Sequence, residues 1–314
     1  MGNIEKELEL IAKRPYVMYM GAKTVAKRFD VDEFAFRRAR MICRKQLGTA
    51  YPENVTKAKI LLLDIETAPM RGFVWKRWKE NVGLDQTISE WFMICWAAKW
   101  LDEDRVYGGC NTYAEMITED DSRICTELWD LLDEAEIIIT HNGKKFDEPK
   151  IRTRMLINGL PPLTPYKQID TKEIAQKQFG FSSNKLDALA IQFKFKRKIE
   201  TNFNLWKECM YGNEEALADM AEYNKYDVLL LEQVYKKLRP WIKNHPNLGM
   251  YDHSLEELCA HCGSDLLEEI EDRYYYTHNG KYQTFRCMNC GSVLRRRASV
   301  KDKMKKVVSS IPGV

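Results

Sequence analysis

The chain has 314 residues, of which 45% are hydrophobic and 30% charged, and a net charge of +3. That length suits one medium domain with one or two small ones, and the composition is that of a soluble globular protein able to bury a full core. The near balance of charge excludes a global basic field, the longest apolar run (Trp91 to Ala98) is too short to span a bilayer, and the first twenty residues lack the apolar core of a secretory signal. A cytoplasmic protein without a membrane partner is expected.

Residues 1–54 read as a helical segment. Ala22 to Phe29 is a short amphipathic helix, Asp30-Val31-Asp32 a turn with Asp32 as candidate N-cap, and Glu33 to Leu47 a second, Arg-rich helix. Residues 1–50 hold eleven Lys/Arg against six Asp/Glu. A short helix, a tight turn and a basic second helix resemble a helix-turn-helix, with Arg37, Arg38, Arg40 and Arg44 as phosphate or base contacts. The competing reading is a plain helical cap on the next domain.

Residues 55–245 alternate strands and helices. Strands are expected at Lys59–Ile65, Trp91–Ala98, Arg105–Tyr107, Glu136–Thr140 and Gln168–Asp170. Helices are expected at Glu119–Glu134 and at Glu148–Asn158, the latter stopped by Gly159, and the remainder to Lys243 is mostly helix. The order indicates an α/β domain with a mixed sheet flanked by helices. Trp75 and Trp78, in the basic stretch RGFVWKRWK, are candidates for stacking on bases, whereas most of the other tryptophans read as core.

Pro240, Pro246 and Gly249 mark a linker. Beyond it, residues 250–300 contain Cys259-x-x-Cys262-Gly and Cys287-x-x-Cys290-Gly with 24 residues between the pairs, and a hairpin with Asn279-Gly280 at its tip. Four thiolates satisfy one tetrahedral Zn²⁺, the glycines permit the tight turns, and the whole reads as a zinc ribbon. The other five cysteines are scattered, as suits a reducing compartment. Arg295, Arg296, Arg297, Lys301, Lys303, Lys305 and Lys306 against Asp302 alone make residues 301–314 a basic tail with a basic approach, which tilts the ribbon towards nucleic acid.

Four acids stand out in the middle segment. Alternation puts Asp64 and Glu66 of LLLDIET on one face of a strand end. Asp147 opens a helix after the turn His141-Asn142-Gly143. Tyr223 and Asp227 share a helix face at i, i+4 spacing. Singly each has an ordinary explanation: a solvated strand end, a helix-start carboxylate, a surface Asp beside a half-buried Tyr. Converging carboxylates are what paired hard cations need.

In their order and contexts these residues resemble the DEDD superfamily of 3′→5′ exonucleases, which share a ribonuclease-H-like fold. Asp64-Ile65-Glu66, with Thr67 following, matches the first motif, and His141, Asn142, Phe146 and Asp147 match the second. Tyr223 four residues before Asp227 selects the tyrosine branch, and Asp170-Thr171 and Lys185 to Leu189 look like the segment between the second and third motifs. The resemblance implies hydrolysis of phosphodiesters with two Mg²⁺ or Mn²⁺ ions held by Asp64, Glu66, Asp147 and Asp227. It implies that Tyr223 orients the attacking water, and that Thr67, Asn142 and Phe146 hold the terminal nucleotide. His141 is expected to be a turn residue rather than a ligand. DNA is the expected substrate, mainly because helix-turn-helix segments usually read duplex DNA, with RNA the alternative, and a replication or repair protein is an expected further partner. The rival of another class is a nucleic-acid-binding or assembly protein with an idle nuclease core.

Overall fold

A computed structural model describes residues 4–13, 17, 22–47, 58–79, 81–196, 201–252, 257–278 and 280–300. The expected hairpin tip at Asn279 and the basic tail 301–314 lie outside the described residues. Two compact units emerge, Lys59–Leu238 and a second made of Met1–Ala58 with Arg239–Val314.

The second unit begins with helices α1 (Glu5–Lys13), α2 (Ala22–Phe29) and α3 (Glu33–Leu47). Asp32 caps α3, its Oδ1 accepting from the Ala35 amide at 2.7 Å. Ile11, Val17, Ala22, Val25, Phe36 and Ala39 form the small core that these segments share.

The first unit is built on a five-stranded sheet. Its strands are β1 (Ile60–Thr67), β4 (Met93–Trp100), β5 (Val106–Cys110), β6 (Ile137–Thr140) and β7 (Lys167–Asp170), and β2 (Arg71–Gly72) and β3 (Thr87–Ser89) form a separate two-stranded ladder between β1 and β4. The order is β5-β4-β1-β6-β7, with β1 antiparallel to β4 and parallel to β6. This is the expected mixed α/β sheet flanked by helices. Helices α4 (Tyr113–Thr118), α5 (Ser122–Glu134), α6 (Asp147–Ile157), α7 (Thr171–Gln178), α8 (Leu186–Phe193), α9 (Phe203–Met210) and α10 (Glu214–Leu238) complete the unit.

The period-2 alternation of β1 assigns its faces. Leu61, Leu63 and Ile65 join Ile124, Leu128, Leu132, Ile151 and Met155 of α5 and α6 in one core. Leu62, Asp64 and Glu66 belong to the opposite side, where α10 crosses β1 and β4. Burying each large aliphatic side chain of this strand contributes about 1.5–3 kcal/mol, which fixes the register, since a one-residue slip would turn the acids into the α5–α6 core.

Several expected boundaries move by one to three residues, and two of these changes have a visible cause. β1 runs on to Thr67 because Glu66 still pairs with Cys95 before the register shifts, so the two acids lie within the strand. The helix expected over Glu119–Glu134 is α5 and starts three residues later, at Ser122, because Glu119 takes a left-handed φ of 56° as the C-cap of the preceding α4. Gly159, at φ 71°, follows α6 as expected.

The second unit ends in a three-stranded sheet of β8 (Leu267–Thr277), β9 (Gly280–Cys287) and β10 (Val293–Arg295), ordered β10-β9-β8. Here α3 departs from expectation. Arg37 and Arg40 are buried, not presented as a recognition surface. Arg37 Nη1 donates to the Asp265 carbonyl at 2.8 Å and its Nη2 to Glu33 at 2.9 Å, while Arg40 is ion-paired to the Asp265 carboxylate. Guanidiniums buried to 5% and 1% exposure present no surface to a phosphate, so Arg37 and Arg40 sit as packing residues within this unit. Arg38 is half-buried, and the Arg44 side chain lies outside the described residues. Among the described residues, no helix is long and apolar enough to cross a membrane.

Candidate active site and cysteine cluster

β1 and α10 together make the acidic site. Asp64, Glu66 and Asp227 each place a carboxylate oxygen within 4.8 Å of the others. On α10, Tyr223, Asn224 and Asp227 fall at i, i+1 and i+4, on the face turned towards β1. Asn224, fully buried, donates from Nδ2 to Asp64 Oδ2 at 2.7 Å and so fixes that carboxylate. Tyr223 packs edge-on against Trp206, with ring centroids 6.0 Å apart, and lines a depression of about 510 Å³.

Two unit charges 4.8 Å apart repel by roughly 3.5 kcal/mol at an effective dielectric of 20, so three ionised carboxylates this close invite a cation. An all-carboxylate donor set suits a hard divalent ion.

Asp147 stands apart from the three. It is only 2% exposed, and its Oδ1 accepts from the Ile65 amide at 3.3 Å. The reason lies in the strand pairing. β6 pairs with β1 only as far as Leu62, so the next amides of β1 on that edge have no strand partner, and Asp147 serves one of them. Burial pushes its pKa up to about 7, opposed by the backbone hydrogen bonds and reinforced by the nearby Asp170 charge.

The turn preceding Asp147 is tightly built. Asn142 adopts a left-handed φ of 79°. A Cβ on Gly143 would stand 2.2 Å from Thr140 Oγ1, so only glycine fits there. Both ring nitrogens of His141 are engaged at 2.9 Å, Nδ1 with Thr171 Oγ1 and Nε2 with the Asn184 carbonyl, as suits a structural turn residue. Phe146 is partly exposed, with Lys150 Nζ 5.2 Å from its ring centroid.

Thr67, at the end of β1, opens a cleft of about 620 Å³ whose walls include Met70, Trp91, Lys150, Phe203 and Trp206. Lys150 stands 3.7 Å from the centre of the Trp91 ring. Burial lowers the Lys150 pKa.

Two functional residues escaped the sequence reading as such. Asn224, next to Tyr223, carries no motif signal. Asp170 was visible only as part of a similar-looking segment. Its carboxylate accepts from the amides of Asn142 (3.0 Å), Lys144 (3.2 Å), Lys172 (3.0 Å) and Glu173 (3.1 Å). One buried side chain thus clamps the Asn142–Asp147 turn and caps α7. The pattern Asp170-x-x-Glu173 before a helix was the available clue.

In the other unit, Cys259, Cys262, Cys287 and Cys290 converge within 4.8 Å. Cys259 and Cys290 sulfurs are 3.7 Å apart, and those of Cys262 and Cys287 3.6 Å apart. A tetrahedron of thiolates about 2.3 Å from a central metal has edges of about 3.8 Å, whereas a disulfide requires about 2.05 Å. The cluster therefore has the dimensions of a metal site. Gly263 (φ 70°) and Gly291 (φ 82°) supply the left-handed turns, their amides donating to the Cys259 and Cys287 carbonyls.

A family model of the RNase H superfamily matches residues 61–239. The chain belongs to this superfamily. Membership supports a nuclease function on a nucleic-acid substrate, and the five-stranded sheet is the fold expected of it. Among solved structures, a family B DNA polymerase from the hyperthermophilic archaeon Pyrobaculum calidifontis is similar at 18% identity with a TM-score of 0.44. The match covers 62% of this chain and 26% of the polymerase, so the chain matches about a quarter of that protein's length. No curated protein matches the sequence.

Proposed function

We propose that the protein is a metal-dependent 3′→5′ exonuclease of the tyrosine branch of the DEDD group, with DNA as preferred substrate. The observation that carries this is the meeting of Asp64 and Glu66 of β1 with Asp227 of α10, their oxygens within 4.8 Å, where α10 also bears Tyr223 one turn before Asp227. Asp64, Glu66 and Asp227 would hold the first Mg²⁺ or Mn²⁺, and Asp147 would serve the second. Bound ions of this kind lower the pKa of the attacking water and stabilise charge on the leaving 3′-oxygen. Asn224 keeps Asp64 in place. Tyr223, with a phenol that ordinarily titrates near 10, orients the water by hydrogen bonding rather than taking its proton. Thr67, Asn142 and Phe146 hold the terminal nucleotide, Phe146 by stacking.

We assign Zn²⁺ to the four cysteines, as the structural ion of a zinc ribbon, and expect one zinc per chain by metal analysis. A purified chain without stoichiometric zinc would remove that assignment. The protein is read as cytoplasmic, with a replication or repair protein as further partner.

One observation favours a second reading, a nucleic-acid-binding protein with an idle core: Asp147 is buried apart from the other three acids, with one of its oxygens accepting from the Ile65 amide. Both readings meet one experiment. Matched DNA and RNA strands, labelled at either end and in linear and circular form, are incubated with Mg²⁺ or Mn²⁺. The exonuclease shortens linear strands from the 3′ end, spares circles and degrades DNA faster than RNA. If wild type and Asp64→Ala/Glu66→Ala degrade substrate equally slowly, the catalytic reading falls and the idle core stands.

A further inference from the structure

Between β1 and β4 the chain leaves the sheet to form an arm, described over residues 71–79 and 81–89 and closed at its base by the β2–β3 ladder. Gln86 secures it. Its carbonyl accepts from the Phe73 amide at 2.9 Å, its Nε2 donates to the Phe73 carbonyl at 3.2 Å, and its Oε1 accepts from the Gly83 amide at 2.9 Å. Beyond this closure the arm exposes its largest side chains. Trp75 is 89% exposed, Trp78 82% and Leu84 91%. Folding gains nothing from two indoles left in water, and exposed apolar groups clustered this way mark an interaction surface.

The charges interleaved with the rings are of one sign. RGFVWKRWK contains Arg71, Lys76, Arg77 and Lys79 and no acid. Arg71 is ion-paired to Glu119, but among the described residues Lys76, Arg77 and Lys79 make no ion pair. Rings that stack and cations left for an anion are the two components of a single-strand binding groove. The arm is also joined to the acidic site. Met70, just before it, and Trp91, just after it, both line the cleft that starts at Thr67, next to Glu66.

We propose that the arm is a platform for the single strand that trails from the acidic site, with Trp75 and Trp78 stacked on bases and Lys76, Arg77 and Lys79 on phosphates. Unpaired bases are required, because only they offer a free face to an indole. A lipid surface or a peptide would also accept exposed tryptophans, but neither accounts for the continuity with the cleft. The platform rests on the nuclease reading of the acidic site for its place in the reaction, and its test does not depend on cleavage.

Binding of a labelled oligothymidylate to the full-length protein is followed by fluorescence anisotropy without added Mg²⁺ or Mn²⁺. Trp75→Ala/Trp78→Ala weakens binding roughly thirty-fold, two bases at the low end of the stacking range. Trp75→Phe/Trp78→Phe, which keeps a ring at each position, restores most of it. Wild type loses a similar factor on an abasic oligomer of equal length, while the double-Ala variant binds both oligomers alike. Lys76→Ala/Arg77→Ala/Lys79→Ala flattens the slope of log Kd against log salt by about 2, at about 0.7 per phosphate contact on a single strand. Equal affinity of wild type and the double-Ala variant overturns the proposal, as does indifference of wild type to loss of the bases. Loss of binding to anionic vesicles with unchanged oligomer binding overturns it in favour of a membrane surface. Failure of cleavage with Mg²⁺, by contrast, would leave this binding result intact.

Discussion

Asp170 offers the sharpest test of how the site is held. Its carboxylate serves two amides of the Asn142–Asp147 turn and two in the first turn of α7, from a position 4% exposed. Asp170→Ala removes the helix cap, at about 1 kcal/mol, and the acceptors of two turn amides, at about 1 kcal/mol each. The expected loss is thus about 3 kcal/mol, a large part of the 5–15 kcal/mol typical of a domain. Asp170→Asn is milder. Its amide oxygen can replace Oδ1, which serves Asn142, Lys172 and Glu173, but its NH₂ then faces the Lys144 amide, donor against donor, at a cost of about 1 kcal/mol. In urea, with a slope of about 3 kcal/mol/M, the midpoint falls by about 1 M for the first variant and about 0.3 M for the second. Because the turn carries Asn142, Phe146 and Asp147, both variants also lose activity, and Asp170→Asn loses more than its small instability explains. Two results would refute the reasoning: a loss below about 1 kcal/mol for Asp170→Ala, or equal losses for the two variants.

Three further outcomes follow from the geometry. Mn²⁺ raises the melting temperature of wild type but not of Asp64→Ala/Glu66→Ala; a differential scanning trace with equal Mn²⁺ response in both proteins contradicts the metal assignment. In metal-free protein, Asp147 has a folded pKa of about 7 against about 3.9 unfolded, so the folded state holds the extra proton between these values and stability falls as pH rises from about 4 to about 7, then levels. Melting curves of Asp147→Asn should lack that decline, and a wild-type decline on the acid side instead would show the sign to be wrong. Asp265→Ala removes the ion-pair partner of the buried Arg40 and should destabilise its unit by about 3 kcal/mol or more, measured as an earlier urea transition, whereas Arg38→Ala on the same helix should cost less than about 0.5 kcal/mol.

What could be read from sequence was what short periodicities carry. Asp64 and Glu66 are two apart on a strand, and Tyr223 and Asp227 four apart on a helix, so spacing alone gives each pair a common face. The strand runs of Leu and Ile and the Cys-x-x-Cys-Gly turns are equally local. Asp147 shows where locality ends. Its place at a helix start was legible, but its engagement with Ile65 depends on β6 releasing the β1 edge after Leu62, a fact about the register of two strands far apart in sequence. Asp170 is similar, since its cap of α7 is a local signal and its hold on Asn142 is not.

Arg37 and Arg40 expose a different failure. An Arg-rich helix following a short turn was read as a surface, yet the apolar stripe of α3 runs through Phe36, Ala39 and Cys43, and Arg40, four residues after Phe36, falls on that stripe. Its guanidinium indeed lies over the Phe36 ring, 5.4 Å from the centroid, on its way to Asp265. A charge at an apolar helix position can be buried only if a counter-charge meets it, and Asp265 stands 225 residues away, three after Cys262. The position of Arg40 was therefore readable but its partner was not. The cysteine turn beside Asp265 consequently has a structural task of its own, because it sets the acid on which α3 closes. With zinc assigned to the cysteines as proposed, its removal by a chelator should be felt at Arg37 and Arg40 as well as in the strands that the cysteines join.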